Sequence, residues 1–352
     1  YLAKYKKKFK SSSNINHVEN SDIIIICVPT PINEKKLPIL SHVKEVMHKL
    51  STIKVKHKLI IFECTSYPGT TEEYFLPFIK KKKLRIGSNI FLGYSPERED
   101  PGNKKFSLEK KNIPKIVSGY TADCLSLTKL LYSKISKTIP VENIKTAEFT
   151  KLLENIYRTV NIGLINELKK VSDKMNINIF NAVNAAKTKP FGYQPFYPGP
   201  GVGGHCIPVD PFFLTWKAKK LGIDTKFIKL SGQINDQRPK LIIKKINRFF
   251  TKNNKFKKLN CLIVGVAYKK DCDDLRLSPA LKIIDILHKT KRFKIDILDD
   301  KISKKAKSNF NKISFISKKK LNKKTLNKYD FCLIVTDHSN VNYEIIRKHS
   351  KM

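Results

Sequence analysis

Residues 21–31, SDIIIICVPTP, run four isoleucines into a stiff Pro29-Thr30-Pro31 loop. A short apolar run bounded by polar and proline signals predicts a strand, here buried from Ile23 to Val28. Working outward, Lys58–Glu63 predicts a second strand, and CTSYPGTTEEYFLPFIKK (64–81) a turn that opens a helix. NIFLGYSPERE (89–99) and PKIVSGY (114–120) read as two more strands. Strands alternating with helices argue for an α/β domain with a parallel sheet and ligands at the strands' carboxyl ends.

The pattern then changes. TAEFTKLLENIYRTVNIGLINELKKVSDKM (146–175) reads as one long helix, apolar on much of its circumference, so buried or at a subunit interface. Helical stretches at Ile179–Thr188 and Phe212–Leu221 flank the loop KPFGYQPFYPGPGVGGHCIPVDP (189–211). A loop that long is usually functional. A second α/β pattern starts near Lys258: strand KLNCLIVGVAY (258–268), helix SPALKIIDILHK (278–289), strand FKIDILDD (293–300) and a late strand YDFCLIVTD (329–337). The expected division is 1–145, 146–240 and 241–352. No repeat of solenoid period is visible.

Charge is extreme: 70 Lys+Arg against 30 Asp+Glu, a net +40 over 352 residues. Nucleic acid is the first partner such a charge suggests. Only eight of the cations are arginine (Arg85, Arg98, Arg158, Arg238, Arg248, Arg276, Arg292, Arg347), the residue favoured for bidentate phosphate and base contacts. The lysines are spread along the whole chain, so a biased, solvated surface with no nucleic-acid partner is the better reading. The field should still draw in anionic substrates. No apolar run approaches the ~18–20 residues of a membrane span. The basic start YLAKYKKKFK leads into SSSNINHVEN, with no secretory h-region. Seven cysteines without a C-x-x-C pair fit a reducing, cytoplasmic setting.

Gly199-Pro-Gly201-Val-Gly203-Gly204 matches the letters of a dinucleotide fingerprint but not its context, a strand before and a helix after. Its glycines instead suggest close backbone approach to a ligand. A dinucleotide-binding half should also begin with strand, Gly-rich turn, helix and an acidic residue. Only a basic stretch and a polar linker precede Ile23. The expectation is a truncated first domain, with a degenerate domain as the alternative.

Candidate chemistry gathers in four places. Cys206 lies in the glycine-rich loop, four residues before Asp210, as a reactive thiol or an unremarkable loop thiol, whereas Cys27, Cys261 and Cys332 sit in apolar strand runs and read as core. Lys151 and Asn155, four apart, share a face of the long helix. On so apolar a helix Lys151 either snorkels to solvent, the commoner outcome, or points into a polar pocket. Glu97, Arg98, Glu99 and Asp100 follow a strand, as ligand groups or a solvated turn. Lys269, Lys270 and Arg276 follow another and could hold phosphate oxygens.

Together IIIICVPTP, ECTSYPGTTEE, YSPEREDPGN, AEFTKLLENIYRTVNIGLINEL, FYPGPGVGGHCIPVDP and GVAYKKDCDDLRLSPA resemble the UDP-glucose/GDP-mannose dehydrogenase family, in that family's order and over nearly the whole chain. The Ser-Pro-Glu-Arg and Asp-Pro-Gly segments and the Tyr-Pro-Gly-Pro-Gly loop resemble the branch acting on N-acetylated UDP-hexosamines, UDP-N-acetylglucosamine foremost. The resemblance implies two Rossmann-like domains, the first truncated, joined by a long-helix dimerisation region. It implies NAD as cofactor, no metal, and a UDP-sugar whose C6 alcohol is oxidised to a carboxylate through a cysteine thiohemiacetal and thioester. By the same resemblance Cys206 is the nucleophile, Lys151 and Asn155 face C6, and Asp210 orders water or takes a proton. Glu97 serves as base in thioester hydrolysis and Thr65 lies near the reacting carbon. Glu97, Arg98, Lys151, Asn155, Tyr197, Gly199, Gly203 and Lys269 belong to the substrate, and Pro29, Thr30, Thr65 and Arg276 to NAD. Two main departures stand out: the Gly-rich turn with its acidic partner is missing, which predicts a collapse of NAD affinity, and the sequence stops at Lys348-His-Ser-Lys-Met352 where relatives usually carry one more short strand segment. A smaller one is Cys64, where Ser is commoner.

Overall fold

The computed structural model describes residues 8–100, 106, 110, 112–252, 258–308, 310 and 313–351. In chain order the elements are β1 (Ile23–Ile26), α1 (Ser41–Ser51), β2 (Leu59–Phe62), α2 (Thr70–Lys81), β3 (Phe91–Tyr94), β4 (Lys115–Gly119), α3 (Ala122–Ser133), β5 (Thr138–Pro140) and α4 (Ile144–Lys174). Then come α5 (Ile179–Ala186), α6 (Asp210–Lys220), α7 (Lys226–Lys252), β6 (Leu259–Val264), α8 (Pro279–Lys289), β7 (Phe293–Leu298), α9 (Lys304–Lys307), β8 (Ser314–Ile316), α10 (Lys323–Leu326), β9 (Phe331–Ile334) and α11 (Tyr343–His349). Contacts divide the chain into two compact units, Tyr1–Glu154 with Phe212–Ile223, and Asn155–Pro211 with Asp224–Met352.

The first unit carries a five-stranded sheet in the order β1-β2-β3-β4-β5. β2 is buried on both faces, which its unbroken Leu-Ile-Ile-Phe requires. β1 departs from the expected buried strand. Ile24 and Ile26 are inside, but Ile23 and Ile25 are 37% and 46% exposed and Cys27 is exposed, not core. The cause is cover: α3 packs on Leu59, Ile61 and Val117, and that cluster stops short of Ile23 and Ile25, the β1 partners of Leu59 and Ile61. The sheet is also not wholly parallel. β1, β2 and β3 are, but β4 runs antiparallel to β3. The described residues between β3 and β4 carry no helix, and antiparallel neighbours, unlike parallel ones, can be joined without a helical crossover.

That reversal matters for function. Ile26, Phe62 and Tyr94 are in register, and Tyr94 faces Ser118 of β4. Cys27, Glu63 and Glu97 therefore leave the carboxyl ends of three strands on the edge where β4 begins with Lys115.

The second unit holds an all-parallel sheet ordered β8-β7-β6-β9. Chain order reverses between β6 and β9, which opens the crevice where such sheets take ligands. α7 and α8 bury Ile243, Phe250, Ile283 and Leu287 against Cys261 and Ile263 on one face. Leu326 of α10 and Ile346 of α11 cover Leu262, Val264 and Leu298 on the other. Cys261 is core as expected, while Cys332 is only half-buried. α7, a 27-residue helix, has no counterpart among the expected elements, because its interior holds a buried Pro239 where a break is the usual inference.

Candidate active site

In the first unit the residues around Glu97 are tied from both sides. Lys151 is 9% exposed and does not snorkel; its ammonium donates to the Glu97 carbonyl at 2.5 Å. The Glu97 carboxylate pairs with Lys115 at 2.8 Å and accepts from the Arg98 and Glu99 backbone N–H groups. Burial works to raise its pKa, but the Lys115 ammonium and those donors outweigh it and hold the carboxyl below the ordinary range. Arg98 is engaged as a brace, donating to the Pro114 carbonyl at 2.7 Å and pairing with Glu154 at 2.8 Å. Pro101 and Gly102, part of the expected loop signature, lie outside the described residues.

Next to this, the loops after β1 and β2 are joined. The buried Thr30 hydroxyl donates to the Thr65 carbonyl at 2.6 Å, with Pro29 exposed beside it. Cys64 is buried and bridges the strands: its sulfur accepts from the Val28 N–H and donates to the Ile26 carbonyl at 3.2 Å. A serine hydroxyl has the same two capacities, so the departure at this position is small.

In the second unit Cys206 is exposed just ahead of α6. Its carbonyl accepts from the N–H groups of Val209 and Asp210 at 3.0 and 2.8 Å, so the cysteine opens the turn from which the helix grows. Asp210 is 2% exposed, Asn155 4%, and the Asn155 amide donates to the Asp210 carboxylate at 2.5 Å. The Thr159 hydroxyl, one turn beyond Asn155, reaches the Ile207 carbonyl at 3.3 Å and holds the loop on α4.

The glycine run does approach backbone closely, but to the protein itself. The Gly204 N–H donates to the Arg276 carbonyl at 2.8 Å. A Cβ on Gly203 would meet Tyr268 at 2.7 Å and the Leu277 carbonyl at 2.9 Å, whereas one on Gly199 would meet only the Gly201 carbonyl at 3.9 Å. Arg276 is clamped by a bidentate contact to Asp274, and its guanidinium lies within electrostatic reach of Cys206. Desolvation, then Arg276, lowers the pKa of His205, which keeps that ring neutral beside the cysteine. Tyr197 is 42% exposed and bonds Asn184 through its hydroxyl, and Lys269 is half-buried after β6.

The structure thus brings Asn155, Cys206, Asp210 and Arg276 into one neighbourhood, and Glu97, Arg98 and Lys151 into another; Lys151 and Asn155 are one turn apart on α4. Several residues were missed. Asn166 accepts from the Gly199 N–H and donates to Asn235, which donates on to the Thr159 carbonyl, while Arg238 donates to the Gly199 carbonyl. Glu63, Lys115 and Tyr132 around Glu97 were missed too, though a charged residue flanking a buried strand is a usable signal. Among the described residues no group of His, Cys, Asp and Glu could hold a metal ion.

Comparison with known proteins matches three domains of one family: the NAD binding domain at 2–136, the central domain at 145–237 and the UDP binding domain at 262–352. The chain belongs to the UDP-glucose/GDP-mannose dehydrogenase family. It is 34% identical to UDP-N-acetyl-D-glucosamine 6-dehydrogenase of Pseudomonas aeruginosa over 296 residues, 82% of this chain and 68% of that one. It is also 34% identical to UDP-N-acetyl-D-mannosamine dehydrogenase of Methanocaldococcus jannaschii, over 76% of this chain and 60% of that one. The fold matches the UDP-D-ManNAc dehydrogenase structure from Pyrococcus horikoshii with a TM-score of 0.85, 29% identity, and 99% and 79% of the two chains covered. The protein is an NAD-dependent oxidoreductase of this family, with a mixed α/β fold and a long central helix. Residues at the NAD domain's strand ends suit that cofactor: Pro29, Thr30 and Thr65 lie at the carboxyl edge of β1 and β2, and Thr30 fastens the two loops together. No helix among the described residues is long and apolar enough to cross a membrane.

Proposed function

We propose that the chain oxidises the C6 hydroxyl of a UDP-N-acetylhexosamine, UDP-N-acetylglucosamine foremost, to the uronic acid used in surface polysaccharide precursors. The observation that carries this reading is Cys206 at the mouth of α6, with Asp210 and its partner Asn155 buried behind it. Bound NAD would supply the hydride acceptor for both oxidations.

In this reading the Cys206 thiolate adds to the C6 aldehyde, giving a thiohemiacetal, and after oxidation the sugar is a thioester on sulfur. Lys151 and Asn155 stabilise negative charge on the C6 oxygen. Glu97 takes a proton from water as the water oxygen adds to the thioester carbonyl; the C–S bond breaks and the Cys206 thiolate leaves. Asp210 orders water in the same centre. Substrate contacts fall to Arg98, Tyr197, Gly199, Gly203 and Lys269, and Arg276 serves NAD. The three-part division at 145 and 240, a dimer through α4, and a cytoplasmic setting suited to a reactive thiol complete the proposal.

The test follows NADH at 340 nm with UDP-N-acetylglucosamine, UDP-N-acetylmannosamine and UDP-glucose in parallel, with calorimetric titration of each sugar. Two NADH per sugar, and a uronyl adduct on Cys206 in quenched samples, are expected. Binding of UDP-sugar without NADH from any of the three would replace this reading with a binding protein. UDP-glucose turning over fastest would move the substrate.

A further inference from the structure

Glu97 does not stand alone at the carboxyl edge of the first sheet. It shares a cavity of about 180 Å³ with Ile25, Glu63, Lys115, Tyr132 and Ile135. The Lys115 ammonium is the hub. Its side chain is 4% exposed, and it pairs with Glu97 at 2.8 Å and with Glu63 at 3.0 Å while lying 5.1 Å from the Tyr132 ring centre. The Tyr132 hydroxyl donates to the Glu63 oxygen that also takes Lys115, and the Cys27 thiol donates to the other Glu63 oxygen at 3.4 Å. Each member leaves a strand end or faces it: Cys27 after β1, Glu63 after β2, Glu97 after β3, Lys115 opening β4, Tyr132 on α3.

Burying a lysine is costly unless its charge is met. Here two carboxylates meet one ammonium. A lysine placed only for packing has no need of this geometry, because one partner would neutralise it. We infer that Lys115 is a positioning residue of the hydrolytic step: it pins the Glu97 carboxylate as an anion in one orientation, with Glu63 and Tyr132 holding Lys115 in turn. The inference rests on the reading of Glu97 as the base of that step.

A hydrolytic base must be ionised and aimed. Glu97 is aimed by three contacts that do not depend on substrate: Lys115 on the carboxylate, and the Arg98 and Glu99 N–H groups on its other oxygen. Its main chain is held by Lys151. Among the described residues, the charged and titratable groups around it are Lys115, Glu63, Tyr132, Cys27, Arg98, Glu99, Lys151 and Glu154, and of these Lys115 is the cation on the carboxylate itself. Without Lys115 the half-buried carboxyl keeps its desolvation and loses its counter-charge, so it holds its proton to higher pH.

The experiment compares the full chain with Lys115→Met, Lys115→Gln and Lys115→Arg. The side-chain carboxyl of Glu97 is followed by carbon NMR, its signal identified by loss in Glu97→Gln. In the unaltered chain it should titrate below the ~4.3 of a free glutamate. In Lys115→Met and Lys115→Gln the midpoint should climb by about one unit or more, and Lys115→Arg should bring most of it back. In turnover, the acid limb of the kcat profile should move up with it. At pH 6 kcat should fall about tenfold or more with KM changed less than threefold, and the uronyl thioester on Cys206 should accumulate. A Glu97 midpoint at or above the ordinary value in the unaltered chain overturns the inference even if no Lys115 variant folds, as does an unchanged midpoint in Lys115→Gln. The titration does not depend on catalysis. Shifted midpoints in a chain that makes no NADH would therefore sink the dehydrogenase reading and leave the hold of Lys115 on Glu97 standing.

Discussion

Asp210 is a carboxylate at 2% exposure that accepts from the amide of Asn155, 55 positions earlier in the chain. An isosteric Asp210→Asn can keep a hydrogen bond to Asn155 while losing the capacity to take a proton. It should cost under ~1.5 kcal/mol of stability and slow turnover about a hundredfold. Asn155→Ala does the reverse to the scaffold, leaving a buried carboxylate short of a donor, and should cost about 1–3 kcal/mol. Urea midpoints set beside NADH rates separate the two. A stable Asp210→Asn chain with unimpaired turnover would remove Asp210 from the chemistry. The residues themselves were legible because their types are rare in their settings: a cysteine among glycines, a lysine and an asparagine on an apolar helix. Their partners were not. Lys115 is one of many lysines, and only the antiparallel return of β4 sets it against Glu97. Asn166 and Asn235 are ordinary asparagines until two helices bring them to 3.0 Å.

At the scale of elements, α4 does more than carry Lys151 and Asn155. Its Glu148 is fully buried and caps α2, accepting from the Gly69 and Thr71 N–H groups and the Thr71 hydroxyl. Negative charge at a helix start is favourable. Burial nonetheless dominates and pushes the Glu148 carboxyl up to about 7, against its ordinary 4.5. Between those values the folded chain holds a proton that the unfolded chain has released, so stability falls as pH rises through that window and has lost this contribution by pH 8. Glu148→Gln carries no such proton. From pH 5 to pH 8 the unaltered chain should lose stability relative to Glu148→Gln by on the order of 3 kcal/mol, read from urea unfolding. Parallel lines would show that Glu148 titrates normally. Elements were the most legible scale: β2, β6 and α4 are strong, continuous patterns. β1 is a strand as expected but is buried on one face only, because a run of isoleucine says nothing about where the covering helix ends. α7 hid behind Pro239.

For the whole molecule, two surface features must be weighed together: the +40 charge and the apolar stripe on α4. Phe149, Leu153, Tyr157, Leu164, Leu168 and Val171 are each 43–55% exposed, and their spacings of three, four and seven put them on one side of a 31-residue helix. A helix of that length runs about 46 Å. So long an exposed apolar seam is unusual on a monomer. It is too regular to be scattered surface leucine, and it lies on the one helix that also bears Lys151 and Asn155. Lysine repulsion opposes self-association in general, so a dimer here must be driven by this seam and should tighten as salt screens the charge. The unaltered chain is expected to sediment as a dimer at micromolar concentration in 0.15 M salt. Leu164→Glu with Leu168→Glu should give a folded monomer at the same concentration, with α4 still helical by circular dichroism. A monomeric unaltered chain at 50 μM, or a double variant that dimerises as before, would mean that something other than a second copy of this chain covers α4.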